Sequence, residues 1–341
     1  MAIVIAGNTG IDMNNPAIGA LADGVQVAAT LTYGALQTGL WLDEFYGDFQ
    51  YDLFGDLAGG TLTGWKESYN GQLVFQITGA NVPVSTFLNW VATDANITAV
   101  TTILAGSDTV TGSGFSDRLY GYAGDDSIAA GGGEDTIQSG AGADTVSGGL
   151  GNDQISDSGG SNFLRGNEGN DVLTGGTGFD DVHGNMGNDT VSGGGGDDWV
   201  VGGQDNDLQY GGDGHDVVYG NLGSDSVNGD AGNDWVRGGQ QNDVLDGGAG
   251  DDWMSGDRHN DTLTGGSGAD LFNLFTGSGE DRILDFNALA GDRIRWEGGL
   301  PTYTISQVGL DAVISYGGGD QVTLVGVSAS SLSGTGWFVL A

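Results

Sequence analysis

The chain has 341 residues, of which 69 are glycine, 3 are proline and none is cysteine, and its 46 acidic residues against 8 Lys and Arg give a formal net charge of -38. Glycine at about three times its usual share with so little proline excludes collagen and a proline-rich linker, and the missing cysteine excludes disulfides and thiolate metal sites. The charge excludes nucleic acid and anionic membrane surfaces as partners and favours divalent cations.

The first residues, "MAIVIAGNTG", carry no basic region and only a short apolar run, so they do not read as a cleavable signal peptide. No stretch approaches the length of a transmembrane helix. Residues 1–102 read as a small β-rich or α+β domain. "GVQVAATLTYG", "FYGDFQYDLFG", "GTLTGWKES" and "GQLVFQITG" alternate apolar and polar residues as strands do. Asn70-Gly71 is a hairpin turn signal, and Ser85 is a candidate N-cap for a helix in "VSTFLNWVATDANITAVTTIL".

A nine-residue period then takes over, and it defines residues 103–273. Aspartate stands at Asp108, Asp117, Asp126, Asp135, Asp144, Asp153, Asp171, Asp180, Asp189, Asp198, Asp207, Asp216, Asp225, Asp234, Asp243, Asp252, Asp261 and Asp270. Asn162 fills the one interruption in these nineteen units. Two residues after each such position comes an apolar residue, except at Gln209. In a unit numbered one to nine with aspartate sixth, glycines at the first, second and fourth positions permit tight turns. Positions seven to nine form a short strand whose middle residue points inward. One unit buries one side chain, so it needs stacked neighbours.

These units, such as "GGAGDDWMS" at 247–255 and "GGSGADLFN" at 265–273, resemble the RTX family of hemolysin-type calcium-binding repeats. The resemblance implies a mainly β fold, a parallel β-roll (β-solenoid) of nineteen nonapeptide repeats with two repeats per turn. It also implies Ca²⁺ ions between loops of successive turns. Carbonyls of the first, third and fifth positions of one loop would meet the second and fourth carbonyls and the Asp carboxylate of the next. Such an all-oxygen shell suits Ca²⁺. Two repeats per turn put ten loops on one edge and nine on the other, room for up to about seventeen ions. Their roughly 34 positive charges nearly balance the chain's -38. The eighteen aspartates are the expected metal residues.

The two edges differ. The fourth position is always glycine on the ten-loop edge, but it is Phe115, Asp205, Gln241 and His259 on the other. Weakened or altered calcium sites are expected near Asp205, Gln241, His259 and Asn162. The strands of the ten-loop edge also carry outward apolar residues. Phe163, Trp199, Tyr219, Trp235 and Trp253 are expected to form an aromatic interaction stripe.

Residues 274–341 leave the period at "LFTGSGEDRILDF", a displaced last unit with Asp281, and continue as "DRIRW", "YTISQV", "DAVISY" and "DQVTLVGV". They read as a β-strand cap. By the resemblance, the cap also carries an uncleaved signal for the type I secretion machinery, so the protein is expected outside the cell. "GTLTGW…ITGANVP" is similar to N-terminal regions on other RTX proteins and implies no activity.

Catalytic signatures are missing from the sequence. H-E-x-x-H and G-x-S-x-G do not occur, and His183, His215 and His259 all lie within the repeats. The expectation is therefore a non-enzymatic, calcium-folded protein that forms a homo-oligomer or polymer, as a filament, surface layer or matrix. The competing readings are an adhesin or glycan-binding module for cell-surface polysaccharide, and a small glycan-acting enzyme using acids such as Asp43 and Glu44.

Overall fold

A computed structural model describes residues 106–340 except Ser113, Phe115, Leu300 and Thr335, together with the backbone of five strands before them. The chain divides into two compact units, Met1–Val146 and Ser147–Ala341. In the first unit, Trp41–Tyr51, Leu57–Tyr69 and Gln72–Pro83 form an antiparallel meander. Gln72–Pro83 also pairs antiparallel with Thr109–Thr111. Tyr69 pairs with Gln72. The Asn70-Gly71 turn and the helix expected from Ser85 lie outside the described residues.

From Thr109 onward the repeats form a parallel β-solenoid. Within the repeats a strand pairs in register with the one eighteen residues later, so alternate repeats build two separate parallel ladders. In the second unit Val172–Thr177, Thr190–Gly195, Leu208–Asp213 and Ser226–Ala231 climb one ladder. Asp181–Met186, Trp199–Gln204, Val217–Leu222 and Trp235–Gln240 climb the other.

These strands are longer than the repeat predicts. They run six residues, from the seventh position through the third position of the next unit. The second position inside them has positive φ, as at Gly176 (98°) and Asn185 (82°). Stacked copies share this bend, so the ladder hydrogen bonds survive it. Burial alternates along the strand, which turns positions six, eight and one inward. The eighth-position residues make the core. Leu164, Leu173, Val182, Val191, Val200, Val218, Val227, Val236, Leu245, Met254, Leu263 and Phe272 are all fully buried.

The parallel ladders do not stop with the repeats. Glu280–Ile283 extends one and Arg293–Trp296 the other, each parallel to the last repeat strand. Phe338–Leu340 then adds in parallel to Arg293–Trp296. An antiparallel hairpin, Thr304–Val308 with Asp311–Ser315, closes the other ladder through Gln321–Leu324. The strands expected in the cap are therefore present.

Candidate metal centres

The aspartates form hydrogen-bonded ladders. Along each ladder the backbone N–H of one aspartate donates to Oδ1 of the aspartate one turn later, as from Asp198 to Asp216, Asp216 to Asp234 and Asp234 to Asp252, each at 2.8 Å. The second edge repeats this, with Asp189 to Asp207 and Asp207 to Asp225, both 2.8 Å. In the first unit Asp108 donates to Asp126 at 2.8 Å and Asp117 to Asp135 at 2.7 Å. The fifth position carries a counter-running ladder on the surface. There the side chain of one turn accepts from the N–H of the next, as from Asn233 to His215 Nδ1 (2.9 Å) and from Asp251 to Asn233 Oδ1 (2.8 Å). His215 is thus a rung of this outer ladder.

The inner ladder uses one carboxylate oxygen and leaves the other. Oδ2 of Asp108, of Asp126 and of every repeat aspartate from Asp171 to Asp270 is buried without a hydrogen-bond partner. From Asp171 onward each faces a space that only glycine leaves open. A Cβ on Gly229 would lie 2.5 Å from the carbonyl oxygen of Gly247 and 2.7 Å from Asp234 Oδ2. On Gly211 it would lie 2.5 Å from Asp216 Oδ2 and 2.6 Å from the Gly229 carbonyl. A carboxylate oxygen of one turn and a carbonyl oxygen of the next therefore converge, with no donor between them.

Two facing oxygens repel unless a cation lies between them. Among the described residues no group of three or more His, Cys, Asp or Glu side chains could hold a metal. The donors available are single carboxylates and backbone carbonyls, hard oxygens that fit Ca²⁺ and not zinc or copper. Burial has its usual consequence for such carboxylates. Desolvation pushes Asp234 and Asp243 up to about 7 and Asp207 and Asp261 up to about 8, opposed by the N–H donated from the preceding turn. Asp117 is the exception in placement, being only half-buried.

Asn162 shows what replaces the cation. Its N–H donates to Asp180 Oδ1 at 2.9 Å like any rung, but its Nδ2 donates to the Gly175 carbonyl at 3.4 Å. Gly175 stands to Asn162 as Gly247 stands to Asp234. The amide thus supplies by hydrogen bond what the other rungs require from an ion. Asn162→Asp is expected to add one bound Ca²⁺ per chain, counted by chelator-competition titration. An unchanged ion count would contradict this reading.

The expected irregularity of the nine-loop edge also has a backbone form. Fourth-position glycines such as Gly232, Gly250 and Gly223 have φ between 142° and 148°. Asp205, Gln241 and His259 sit instead at 72°, 80° and 81°. That is the left-handed region, the only positive-φ region open to side-chain-bearing residues at modest cost. These loops depart from their neighbours, and we assign altered ion binding to them as an expectation.

Two members of the ladders escaped the nine-residue count in their roles. Asp281 and Asp292 accept from Asp261 N–H (3.1 Å) and Asp270 N–H (3.2 Å), at spacings of 20 and 22 residues. Both are buried. Asp292 Oδ2 takes the Asn287 N–H at 2.7 Å, and the Ser278 side chain hydrogen-bonds Asp281. Protein donors thus replace the cation where the ladders end. The sequence already marked Asp281 as a displaced last unit; "GDRIR" retains the same Asp-x-apolar signature, which could have located Asp292 as well.

The outward aromatic residues fall in two columns, not one stripe. Phe163, Asp181, Trp199, Val217, Trp235 and Trp253 stand in successive register at the seventh position. Phe163, Trp199 and Trp235 are exposed, and the Trp235 and Trp253 rings lie 5.2 Å apart. Tyr219 belongs to the ninth-position column, one inward residue away. There the Arg237 guanidinium lies 5.3 Å over its ring. Beside these columns runs an open groove of about 1470 Å³, lined among others by Arg165, Asn185, Val201, Asn221, Arg237 and Gln240.

Fold and site together define a parallel β-roll built from nonapeptides to hold Ca²⁺ between its turns. A family profile for the RTX calcium-binding nonapeptide repeat matches seven segments across residues 104–272, so this half of the chain is an array of RTX calcium-binding repeats. Two solved structures are similar to it. One is the extracellular lipase LipA from Serratia marcescens, 22% identical over 54% of this chain and 40% of that chain, TM-score 0.23. The other is the AlgE6R3 subunit of the Azotobacter vinelandii mannuronan C5-epimerase, 27% identical over 42% of this chain and 77% of that chain, TM-score 0.19. The chain thus spans two fifths of the lipase's length. No curated protein matches it. Among the described residues no helix is long and apolar enough to cross a membrane.

Proposed function

We infer that this chain is a secreted, non-enzymatic, calcium-folded structural protein that assembles with copies of itself at the cell surface or in the extracellular matrix. The observation that carries the reading is the tryptophan column. Calcium ladders and core need only small polar residues at the seventh position, yet Trp199 is 45% exposed and Trp235 54% exposed. Large exposed aromatics in register on a rigid sheet are the chemistry of an interface. The RTX repeats support calcium as the folding ligand, and family practice supports export by type I secretion through a signal in residues 274–341.

The test is assembly of the purified full chain followed by light scattering and negative-stain microscopy. Particles should form in millimolar calcium and disperse with chelator. Trp235→Ala should lower assembly about tenfold while leaving the calcium-saturated circular dichroism unchanged, as loss of an interface anchor does. A chain that stays monomeric at high calcium and high concentration refutes self-assembly.

A second reading is favoured by the groove beside the column. Its Asn185, Asn221 and Gln240 amides and its Arg165 and Arg237 guanidinium groups, next to stacked indoles, suit a polysaccharide strand lying along the roll. Under that reading Trp235→Ala abolishes glycan binding by a monomer.

A further inference from the structure

The apolar series of eighth-position residues is broken once, by Gln209, in register between Val191 and Val227. Gln209 is fully buried. Neither its Nε2 nor its Oε1 has a hydrogen-bond partner, and Asp207 Oδ2 beside it has none either. A buried amide with both ends unmatched is unfavourable unless something satisfies it.

The direction of the side chain identifies what that is. A Cβ on Gly202 would meet Gln209 Nε2 first and Asp207 Oδ2 second. On Gly220, one turn on, the nearest atoms are instead Asp225 Oδ2, the Gly238 carbonyl oxygen and the Asp225 Cβ. The Gln209 amide therefore enters the space into which carboxylate and carbonyl oxygens converge at the neighbouring rung. A half-turn about its last torsion exchanges nitrogen for oxygen, and with neither atom bonded, no hydrogen bond is lost.

We propose that Gln209 places its side-chain carbonyl oxygen on the Ca²⁺ held at Asp207, as an added neutral ligand that the Asp189 and Asp225 positions do not have. The inference rests on the RTX calcium sites and not on self-assembly. Calcium accepts six to eight oxygens, amide carbonyls among them. One more neutral oxygen strengthens the shell without adding charge to an acidic edge. It satisfies the buried amide and the orphaned carboxylate oxygen with one ion. The competing role is that of Asn162, in which the amide N–H would bond Asp207 directly and displace the ion.

The two roles give opposite results in the full chain. Calcium release into a chelating dye is followed by stopped flow, and bound ions are counted by chelator competition. Gln209→Leu restores the apolar series. If the amide is a ligand, one ion should pass from the slow to the fast phase, about tenfold faster, with Gln209→Glu retaining it. If Gln209→Leu releases calcium no faster than the parent chain, or binds one ion more, the proposal is overturned. Loss of an ion in Gln209→Glu but not in Gln209→Leu overturns it equally. A crystal structure of the calcium-loaded chain supplies a readout independent of both variants. Oε1 should lie about 2.3–2.6 Å from an ion that Asp207 also binds; an ion at Asp207 without Oε1 in its shell ends the proposal.

Discussion

Stripped of calcium at pH 8, the chain is expected to lose its β-sheet circular dichroism, and to regain much of it, still without calcium, as the pH is lowered below about 5. The ladders bury carboxylates whose folded-state pKa is raised from 3.8, to about 6 at Asp216 and Asp252, about 7 at Asp180 and Asp189, and about 8 at Asp207 and Asp261. The cause at each is desolvation, with neighbouring aspartates adding to it. A group that holds its proton more tightly when folded favours the fold fully below its unfolded pKa. That advantage is lost as the pH rises through the folded value. The window for the metal-free chain is therefore about pH 4 to 8, with stability falling upward across it. Calcium reverses the sign. Above pH 8 the carboxylates are free of protons and the ion binds best; protons compete with it as the pH falls. Calcium binding near neutral pH should accordingly release protons, measurable as buffer-dependent heat in calorimetry. A metal-free chain equally unfolded at pH 4.5 and pH 8 would show that the orphaned carboxylate oxygens are not what keeps it open.

The period of nine was legible because each unit repeats a purely local demand. An inward apolar residue, an inward carboxylate and a bend without a side chain recur at fixed positions, and neither loops nor insertions disturb the count between Asp108 and Asp270. The buried aspartates and the core from Leu164 to Phe272 followed from that alone. What the count could not carry was anything decided between turns. The carboxylate accepts from the preceding turn's N–H, so the rung at Asn162 depends on Gly175, thirteen residues away. Asp281 and Asp292 join the ladders only because insertions of two and four residues loop out before them. Tyr219 fell outside the tryptophan column because the seventh and ninth positions both face outward but stack only on their own kind. The six-residue strands were hidden because glycine normally argues against a strand, whereas here identical bends stack.

The same logic of stacking makes Gly232→Ala the substitution with the largest expected loss of stability in calcium. Gly232 has φ 143°, a conformation essentially confined to glycine, and a Cβ there would run into the carbonyl of Gly214, its counterpart one turn earlier. Gly250 stands in the same relation to Gly232, so a shift at 232 is passed to the turn above. The backbone strain alone costs about 1–3 kcal/mol, and distortion of the loops on either side of residue 232 adds to it. Loss of about 3 kcal/mol in denaturant unfolding at saturating calcium is expected, together with weaker binding of the ions on both sides. His259 supplies the comparison. It occupies the same fourth position on the other edge at φ 81°, where a side chain is tolerated, and its Nδ1 accepts the Gln241 N–H at 3.1 Å. His259→Ala should therefore cost about 1 kcal/mol or less, the value of one exposed hydrogen bond. If Gly232→Ala is as mild as His259→Ala, the glycines of the ten-loop edge are not there for turn-to-turn approach. The contrast between the two edges would then need another cause.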